Sequence, residues 1–295
     1  MKKILLMLAV ISITAGNTQA CDICGCSGAG MFNMPSSYAL YNFLLMRPHY
    51  STFNTTGEAD ARVTFAGVDI GGGFGLNKWW HLTAYVPVKM NTILHEQVER
   101  QYMGLGDAGV INTFRIYSNL DSMMAKHKYN LFVKAGVELP TGAFNRDFRT
   151  ENMPAGISTG SGSIDFMSGL RAVYQLKKHS VNIDYTAKYN LPNALAYQFG
   201  FQQSATVLYS YTIRKPKCTI LPNVGVLAES TSGDMYHDML LPETKGASAF
   251  AMAGIELGFN DWVTGVQVDL PTADTFDGEL AYQPRFTMRV LYLLR

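Results

Sequence analysis

The sequence has little charge, little cysteine and no long apolar run after its first twenty residues. Only 16% of the 295 residues are charged, and the formal net charge is +1. So small a charged fraction argues against a coiled coil, and the lack of a basic excess argues against nucleic-acid binding. With 16 Phe and 16 Tyr, the chain has too many aromatic residues for a disordered protein. We therefore expect a folded protein with no nucleic-acid partner.

The apolar segments exclude membrane helices in the mature chain. Residues 1–20 begin with two lysines, continue with an apolar run from Ile4 to Ile13 and end just before Cys21. This pattern is typical of a cleaved secretory signal peptide. Beyond it, no stretch reaches the roughly 18 apolar residues that a membrane helix needs. A mean hydropathy of +0.02 still fits a membrane β-barrel, whose strands alternate apolar and polar residues.

Alternation of apolar and polar residues recurs along the whole chain after residue 40. In segment 129–141, for example, Leu131 and Val133 alternate with Lys134, and the charged residues always fall on one face. Twelve segments with this period are candidate strands: 41–53, 63–76, 79–90, 107–118, 129–141, 163–176, 179–191, 200–213, 217–229, 247–259, 262–271 and 281–294. The sequence therefore predicts an all-β fold, a transmembrane antiparallel β-barrel of about 12 strands.

The connections between these strands alternate between short and long. Tight turns such as 177–178 follow every second strand, whereas 91–106, 142–162 and 230–246 are longer and rich in polar residues and glycine. Outer-membrane barrels have short periplasmic turns and long external loops, so both termini are predicted to lie in the periplasm. The strands of a soluble β-sandwich also alternate. If these twelve strands formed one, however, their charged face would be buried and their apolar face exposed to water.

Four short motifs lie at the ends of predicted strands. They are Gly104-Leu105-Gly106-Asp107, Leu139-Pro140-Thr141-Gly142, Gly160-Ser161-Gly162 with Asp165, and Leu270-Pro271-Thr272. In their order and spacing, over about residues 40–295, the chain resembles a family of bacterial outer-membrane transporters named for the meta-pathway of phenol degradation. The resemblance implies an outer-membrane channel or transporter without catalytic residues.

The mature N-terminus, Cys21-Asp22-Ile23-Cys24-Gly25-Cys26, holds three of the four cysteines. Three thiols this close can converge on copper(I) or zinc(II), which makes Cys21, Cys24 and Cys26 candidate metal ligands. Additional candidates are Cys218, Met31 and Met34. Two alternatives remain open: a disulfide, because the periplasm is oxidising, and lipidation of Cys21.

Charged residues on the polar faces of the strands form the predicted lumen. They are Arg47, His49, Asp69, His81, Arg115, Lys134, Glu138, Asp165, Arg171, Asp184, Lys188, Glu229, Glu256, Asp269 and Arg289. Two interpretations fit these residues: a network that cross-links neighbouring strands, or the lining of a solute path. A barrel of this strand number has a narrow interior, so small solutes are the expected cargo.

Together these patterns predict a signal peptide (1–20), a periplasmic cysteine-rich segment (21–40) and an outer-membrane barrel (41–295). The predicted function is a channel or transporter for a small solute or metal ion, embedded in the outer-membrane lipid bilayer. A periplasmic metal carrier is a candidate partner, and copper or zinc is the candidate cofactor. No catalytic motif was found, so an enzyme is not expected. The alternatives are a lipase-like barrel enzyme and a structural barrel whose N-terminal cysteines form disulfides.

Overall fold

The computed structural model describes residues 41–55, 61–95, 98–120, 125–144, 155–275 and 280–294. Twelve long strands form one sheet, two of them are interrupted, and the two-residue strand Ile213–Arg214 joins the same sheet. The strands are β1 (Asn42–Thr55), β2 (Ala61–Gly75), β3 (Trp80–His95), β4 (Val98–Leu105 and Ala108–Ser118), β5 (His127–Leu139), β6 (Asp165–Leu176), β7 (His179–Asn190), β8 (Gln202–Tyr211), β9 (Thr219–Thr231), β10 (Gly246–Phe259), β11 (Trp262–Asp274) and β12 (Leu280–Tyr282 and Arg285–Leu294).

The sheet closes on itself. Each strand pairs antiparallel with the next along the chain, and β12 pairs back to β1, with Phe43 opposite Leu293 and Tyr50 opposite Phe286. Closure gives the edge strands of the sheet their hydrogen-bond partners, which the interior of a bilayer demands. The predicted fold class, an antiparallel barrel of about 12 strands, is confirmed.

The two faces of the wall differ as the alternation predicts. Leu170 and Ile183, on the outer face, are at least half exposed, whereas the charged residues of the same strands are buried inside. Exposed aromatic residues ring the barrel at the end where the short turns lie, including Trp80, which stacks on Phe114, and Trp262. Such an aromatic girdle marks the boundary between lipid and water.

Short turns gather at one end of the barrel, which we call the short-turn end. Its turns are 76–79, 119–126, 177–178, 212–218 and 260–261, and both β1 and β12 have their terminal ends there. The opposite, long-loop end also carries a three-stranded sheet of Tyr197–Gln198, Asp234–Tyr236 and Met239–Leu241, and two short 3-10 helices, Ala155–Ile157 and Pro242–Thr244. None of the helices among the described residues is long and apolar enough to cross a membrane.

One predicted loop was wrong. The sequence predicts a long external loop over 91–106, but β3 and β4 continue there as a hairpin in which Ile93 pairs with Arg100 and His95 with Val98. This part of β4 is mostly exposed and pairs with β3 alone. The polar composition of Val98–Leu105 is typical of a loop, but it also suits a hairpin that extends into water beyond the lipid.

Candidate functional site

Ion pairs form a belt inside the barrel. Arg47 Nε on β1 lies 2.8 Å from Asp69 Oδ2 on β2. Arg289 Nη1 on β12 lies 2.7 Å from Glu256 Oε1 on β10, two strands away. All four side chains are buried. Buried charges are stable only when they are paired and hydrogen-bonded. In each of these pairs, the partner from another strand supplies the opposite charge and the hydrogen bond.

Asp184 on β7 is the acceptor for two basic side chains. Lys134 Nζ on β5 lies 2.6 Å from Asp184 Oδ1, and Arg171 Nε on β6 lies 2.6 Å from Asp184 Oδ2. Lys134 reaches past β6 because the residue opposite it there is Gly169, which has no side chain in the way. One carboxylate thus links three neighbouring strands.

A second cluster surrounds Lys188 on β7. Its Nζ lies 2.5 Å from Glu138 Oε2 and 3.1 Å from Asp165 Oδ2. The hydroxyl of Tyr85 donates a hydrogen bond to the other oxygen of Glu138, and Ser163 Oγ donates to Asp165 Oδ1 at 2.7 Å. This cluster therefore crosses from β3 to β7 through side chains alone.

A third cluster lies on the other side of the barrel. Arg285 Nη1 on β12 is 2.7 Å from Glu229 Oε2 on β9, and the Arg285 guanidinium lies over the ring of Phe250 at 3.9 Å from its centroid. Asp269 on β11 accepts a hydrogen bond of 2.7 Å from Gln267 Nε2. The charged side chains thus line the interior on several sides.

The structure places all eight of the principal lumen residues predicted from the sequence inside the barrel, in separate clusters. Lys134, Glu138, Asp165, Arg171, Asp184, Lys188, Asp269 and Arg289 all lie on the inner face in these clusters, and Lys188 is the most exposed of the paired basic side chains. Sequence reasoning missed Tyr85 and Arg285, which belong to the same clusters. Tyr85 alternates in step with the inward-facing His81, a signal that could have placed it in the lumen, whereas its hydrogen bond to Glu138 depends on how the strands are paired.

The predicted metal ligands are not tested by the described geometry. Cys21, Cys24, Cys26, Met31 and Met34 lie outside the described residues. Cys218 is a free, half-buried thiol next to the start of β9, at the short-turn end. Within the described parts of the chain, no group of three or more His, Cys, Asp or Glu side chains is arranged to hold a metal ion.

Two apolar clusters flank the charged belt. Along β1, the buried residues run from Phe43 and Leu45, through Arg47, to Phe53. Phe43 and Leu45 belong to a cluster nearer the short-turn end, and Phe53 belongs to a larger cluster toward the long-loop end. Any solute that passes through the barrel therefore meets apolar, charged and again apolar side chains.

Part of the connection between β5 and β6 folds into the barrel. Ile157, in the first short helix, is fully buried in the larger apolar cluster. Asn91 Nδ2 on β3 donates hydrogen bonds of 2.9 Å to the Ile157 carbonyl and 3.2 Å to the Ser158 carbonyl. We call residues 155–158 the inward segment, and it narrows the interior at the long-loop end.

Asp107, in the break of β4, fixes the base of the inward segment. Its carboxylate accepts hydrogen bonds from the backbone N–H of Gly142 at 3.0 Å and of Ser161 at 2.6 Å. A Cβ atom on Gly142 would lie 2.7 Å from Cα of Gly160, so the two backbones need glycine to approach this closely. Three of the four short sequence motifs thus meet at one structural clasp.

The three-stranded sheet at the long-loop end is held by Asp234. This buried carboxylate accepts a hydrogen bond of 2.6 Å from the Gly200 N–H and another from the Tyr197 hydroxyl. Tyr197 is almost completely buried in a small aromatic cluster with Phe144 and Phe199. Asp234 therefore acts as a structural hydrogen-bond acceptor in the connection 230–246.

The closed barrel, its apolar outer face and its aromatic girdle define a protein of the bacterial outer-membrane barrel class. Among solved structures, the COG4313 outer membrane channel from Pseudomonas putida F1 is similar over 88% of this chain and 99% of that chain, with a TM-score of 0.68 and 12% identity. The translocator domain of the autotransporter NalP from Neisseria meningitidis follows with a TM-score of 0.48 and 9% identity over 91% and 92%. No family profile and no curated protein sequence matches the chain. At 12% identity the likeness to the COG4313 channel shows the fold alone.

Proposed function

We propose that the protein is an outer-membrane channel that passes small solutes through the charged belt. The observation that carries this proposal is the polar character of the interior. The ion pairs among the described residues join six basic to six acidic side chains, all directed inward from the wall. A barrel that served only as a scaffold would be filled more stably by apolar residues, because buried ion pairs add little net stability.

Unpaired atoms of these carboxylates support an aqueous path. Among the described residues, Asp69 Oδ1 and Glu256 Oε2 are buried and have no hydrogen-bond partner. An unpaired carboxylate oxygen in a dry interior is costly, whereas water or a passing solute can donate to it. The similarity in fold to a protein described as an outer membrane channel is consistent with this proposal.

Conductance in planar bilayers tests the proposed channel. We expect the full chain to give discrete conductance steps, and Arg171→Gln and Lys188→Gln to change conductance or ion selectivity because both side chains lie in the path. Ile183→Val, on the lipid-facing side, serves as the control and is expected to behave like the original protein. Absence of conductance and of solute uptake in proteoliposomes would contradict the proposal.

We further propose a metal site for copper(I) or zinc(II) formed by Cys21, Cys24 and Cys26. Three thiolates within six residues favour soft metals. The free thiol of Cys218 lies at the same short-turn end at which the chain enters β1, and it is a candidate fourth ligand. Such a site would receive or release an ion beside the periplasmic mouth.

Metal analysis of the reduced protein tests this site. We expect about one copper or zinc per chain, lost in the triple variant Cys21→Ser, Cys24→Ser, Cys26→Ser. Cys218→Ser alone separates a three-thiol site from a four-thiol site. Equal, substoichiometric metal in the original and triple-variant proteins, with a disulfide between N-terminal cysteines seen by mass spectrometry, would reject the metal site but leave the channel proposal standing.

A further inference from the structure

The basic residues at the short-turn end are concentrated on one half of the rim. Three consecutive turns, between β4 and β5, β6 and β7, and β8 and β9, hold six basic residues, and the start of β5 adds a seventh. The seven are Lys126, Lys128, Lys177, Lys178, Arg214, Lys215 and Lys217. We call these seven residues the basic sector. Among the described residues of these turns there is no carboxylate, and the sequence places a single acidic residue, Asp121, in the first turn.

The rest of the barrel's surface does not share this bias. The remaining turns of the short-turn end carry Lys78 and Asp261, one charge of each sign. The exposed charges at the long-loop end are also mixed within the described part of the chain, where they include Arg62, Arg100 and Lys245 against Glu99, Asp238 and Asp274. The basic sector is therefore a local feature and does not follow from the overall charge of the chain, which is only +1.

The side chains of the sector are accessible. All except Lys128 are exposed, and none of the seven forms an ion pair with a described carboxylate. Lys128 Nζ donates to the backbone carbonyl of Leu120 at 3.1 Å, so its charge also remains unneutralised. Unpaired, exposed lysines grouped in this way are an electrostatic binding surface for a negatively charged partner.

The sector lies at the level where lipid headgroups begin. Lys177 and Lys178 stand directly before His179, whose Nδ1 is 2.7 Å from the hydroxyl of the half-exposed Tyr209. At the start of β5, His127 Nδ1 is 2.7 Å from the Tyr174 hydroxyl. These rings belong to the aromatic girdle, which sits at the height of the headgroups. Because a strand advances about 3.3 Å per residue, the lysines one or two residues further on are within reach of lipid phosphates.

We propose that the basic sector binds anionic phospholipid headgroups in the membrane leaflet at the short-turn end. Clusters of basic residues next to a membrane attract acidic lipids, each residue contributing to the affinity. A lipid fits better than an acidic protein domain, because the charges lie in tight turns at the level of the headgroups. The described parts of these turns are short and do not project from the membrane to form a surface on which a protein could dock. The proposal does not depend on the channel being open.

Native mass spectrometry of the purified full chain tests the proposal. The protein is incubated in detergent with equal amounts of phosphatidylglycerol and phosphatidylcholine that carry the same acyl chains, and retained lipids are counted. We expect preferential retention of phosphatidylglycerol, lost by about tenfold or more in the variant Lys177→Gln, Lys178→Gln, Lys215→Gln, Lys217→Gln. The control neutralises four exposed basic residues elsewhere: Arg62→Gln, Lys78→Gln, Arg100→Gln and Lys245→Gln.

The control variant has the same change in net charge, so it should keep the lipid preference if the sector is the binding surface. Folding of each variant is checked by its faster migration on unheated gels. If the quadruple variant does not fold, Lys177→Gln with Lys178→Gln provides the same test in a single turn. Equal retention of the two lipids by the original protein, or equal loss in both variants, would overturn the proposal. Binding of an acidic protein domain without lipid preference would also overturn it.

Discussion

Leu170→Arg tests whether the outer face of the barrel is embedded in lipid. Leu170 on β6 is 57% exposed, and along the same face it lies midway between Phe166 and Tyr174, the aromatic residues near the two ends of the strand. Four residues of strand separate it from each, or about 13 Å, so it sits near the middle of an apolar band about 25 Å tall. Its neighbours on adjacent strands, Val133 and Tyr185, also face outward.

Arginine at this depth is expected to destabilise the folded barrel by about 2–4 kcal/mol, because its charge must leave water for hydrocarbon. Leu76→Arg is the matched control. Leu76 is also exposed, at 53%, but it lies in the turn beside Trp79 and Trp80, at the membrane boundary. There the same substitution should cost only about 0–1 kcal/mol.

The assay is denaturant unfolding of protein refolded into lipid vesicles, followed by tryptophan fluorescence. All three tryptophans belong to the girdle, so their emission reports loss of the membrane environment. The difference between the two variants is the informative quantity, since both add one arginine in place of a leucine. Equal free energies of unfolding for the two variants would refute the assignment of the outer face to lipid.

Three further outcomes are expected. Asp184→Asn removes the carboxylate shared by Lys134 and Arg171, and it should lower the free energy of unfolding by about 3–5 kcal/mol, whereas Thr186→Ala at its edge should have a small effect. Asp107→Asn should loosen the clasp that holds the inward segment, seen as noisier or larger conductance steps with unchanged barrel stability; identical conductance would contradict a constricting role for the segment. Protease added to intact cells should cleave within 142–162 or 230–246 and spare 177–178; cleavage confined to the short turn would reverse the predicted orientation.

Strand number and the facing of side chains could be predicted from the sequence because both depend on a period of two. The charged residues of an alternating strand can face only outward or inward, and a lipid-facing outer surface excludes the outward orientation. The positions of Lys134 and Asp184 on the inner face follow from that alone. Which charge pairs with which depends on the offset between strands, and single-strand patterns do not contain this offset.

Glycine shows why the pairing was not visible in the sequence. Gly169 and Gly265 each lie on a strand between two paired charges, opposite Lys134 and Arg289 respectively, and let those side chains reach two strands away. In the linear pattern they look like ordinary strand glycines. The clasp was hidden for the same reason, because Asp107 bonds backbone groups that are 35 and 54 residues away.

The near-neutral composition of the chain conceals a separation of charge that matters for function. Inside the barrel, the ion pairs among the described residues join six basic to six acidic side chains at short distance. Such a lining tolerates water and small solutes without a strong preference of sign. On the rim, the lysines of the basic sector are unpaired, so their field extends about a Debye length, roughly 8 Å, into the surroundings. If the interior serves passage and the rim serves attachment, as we propose, substitutions at Asp184 and Lys177 should affect these two properties independently.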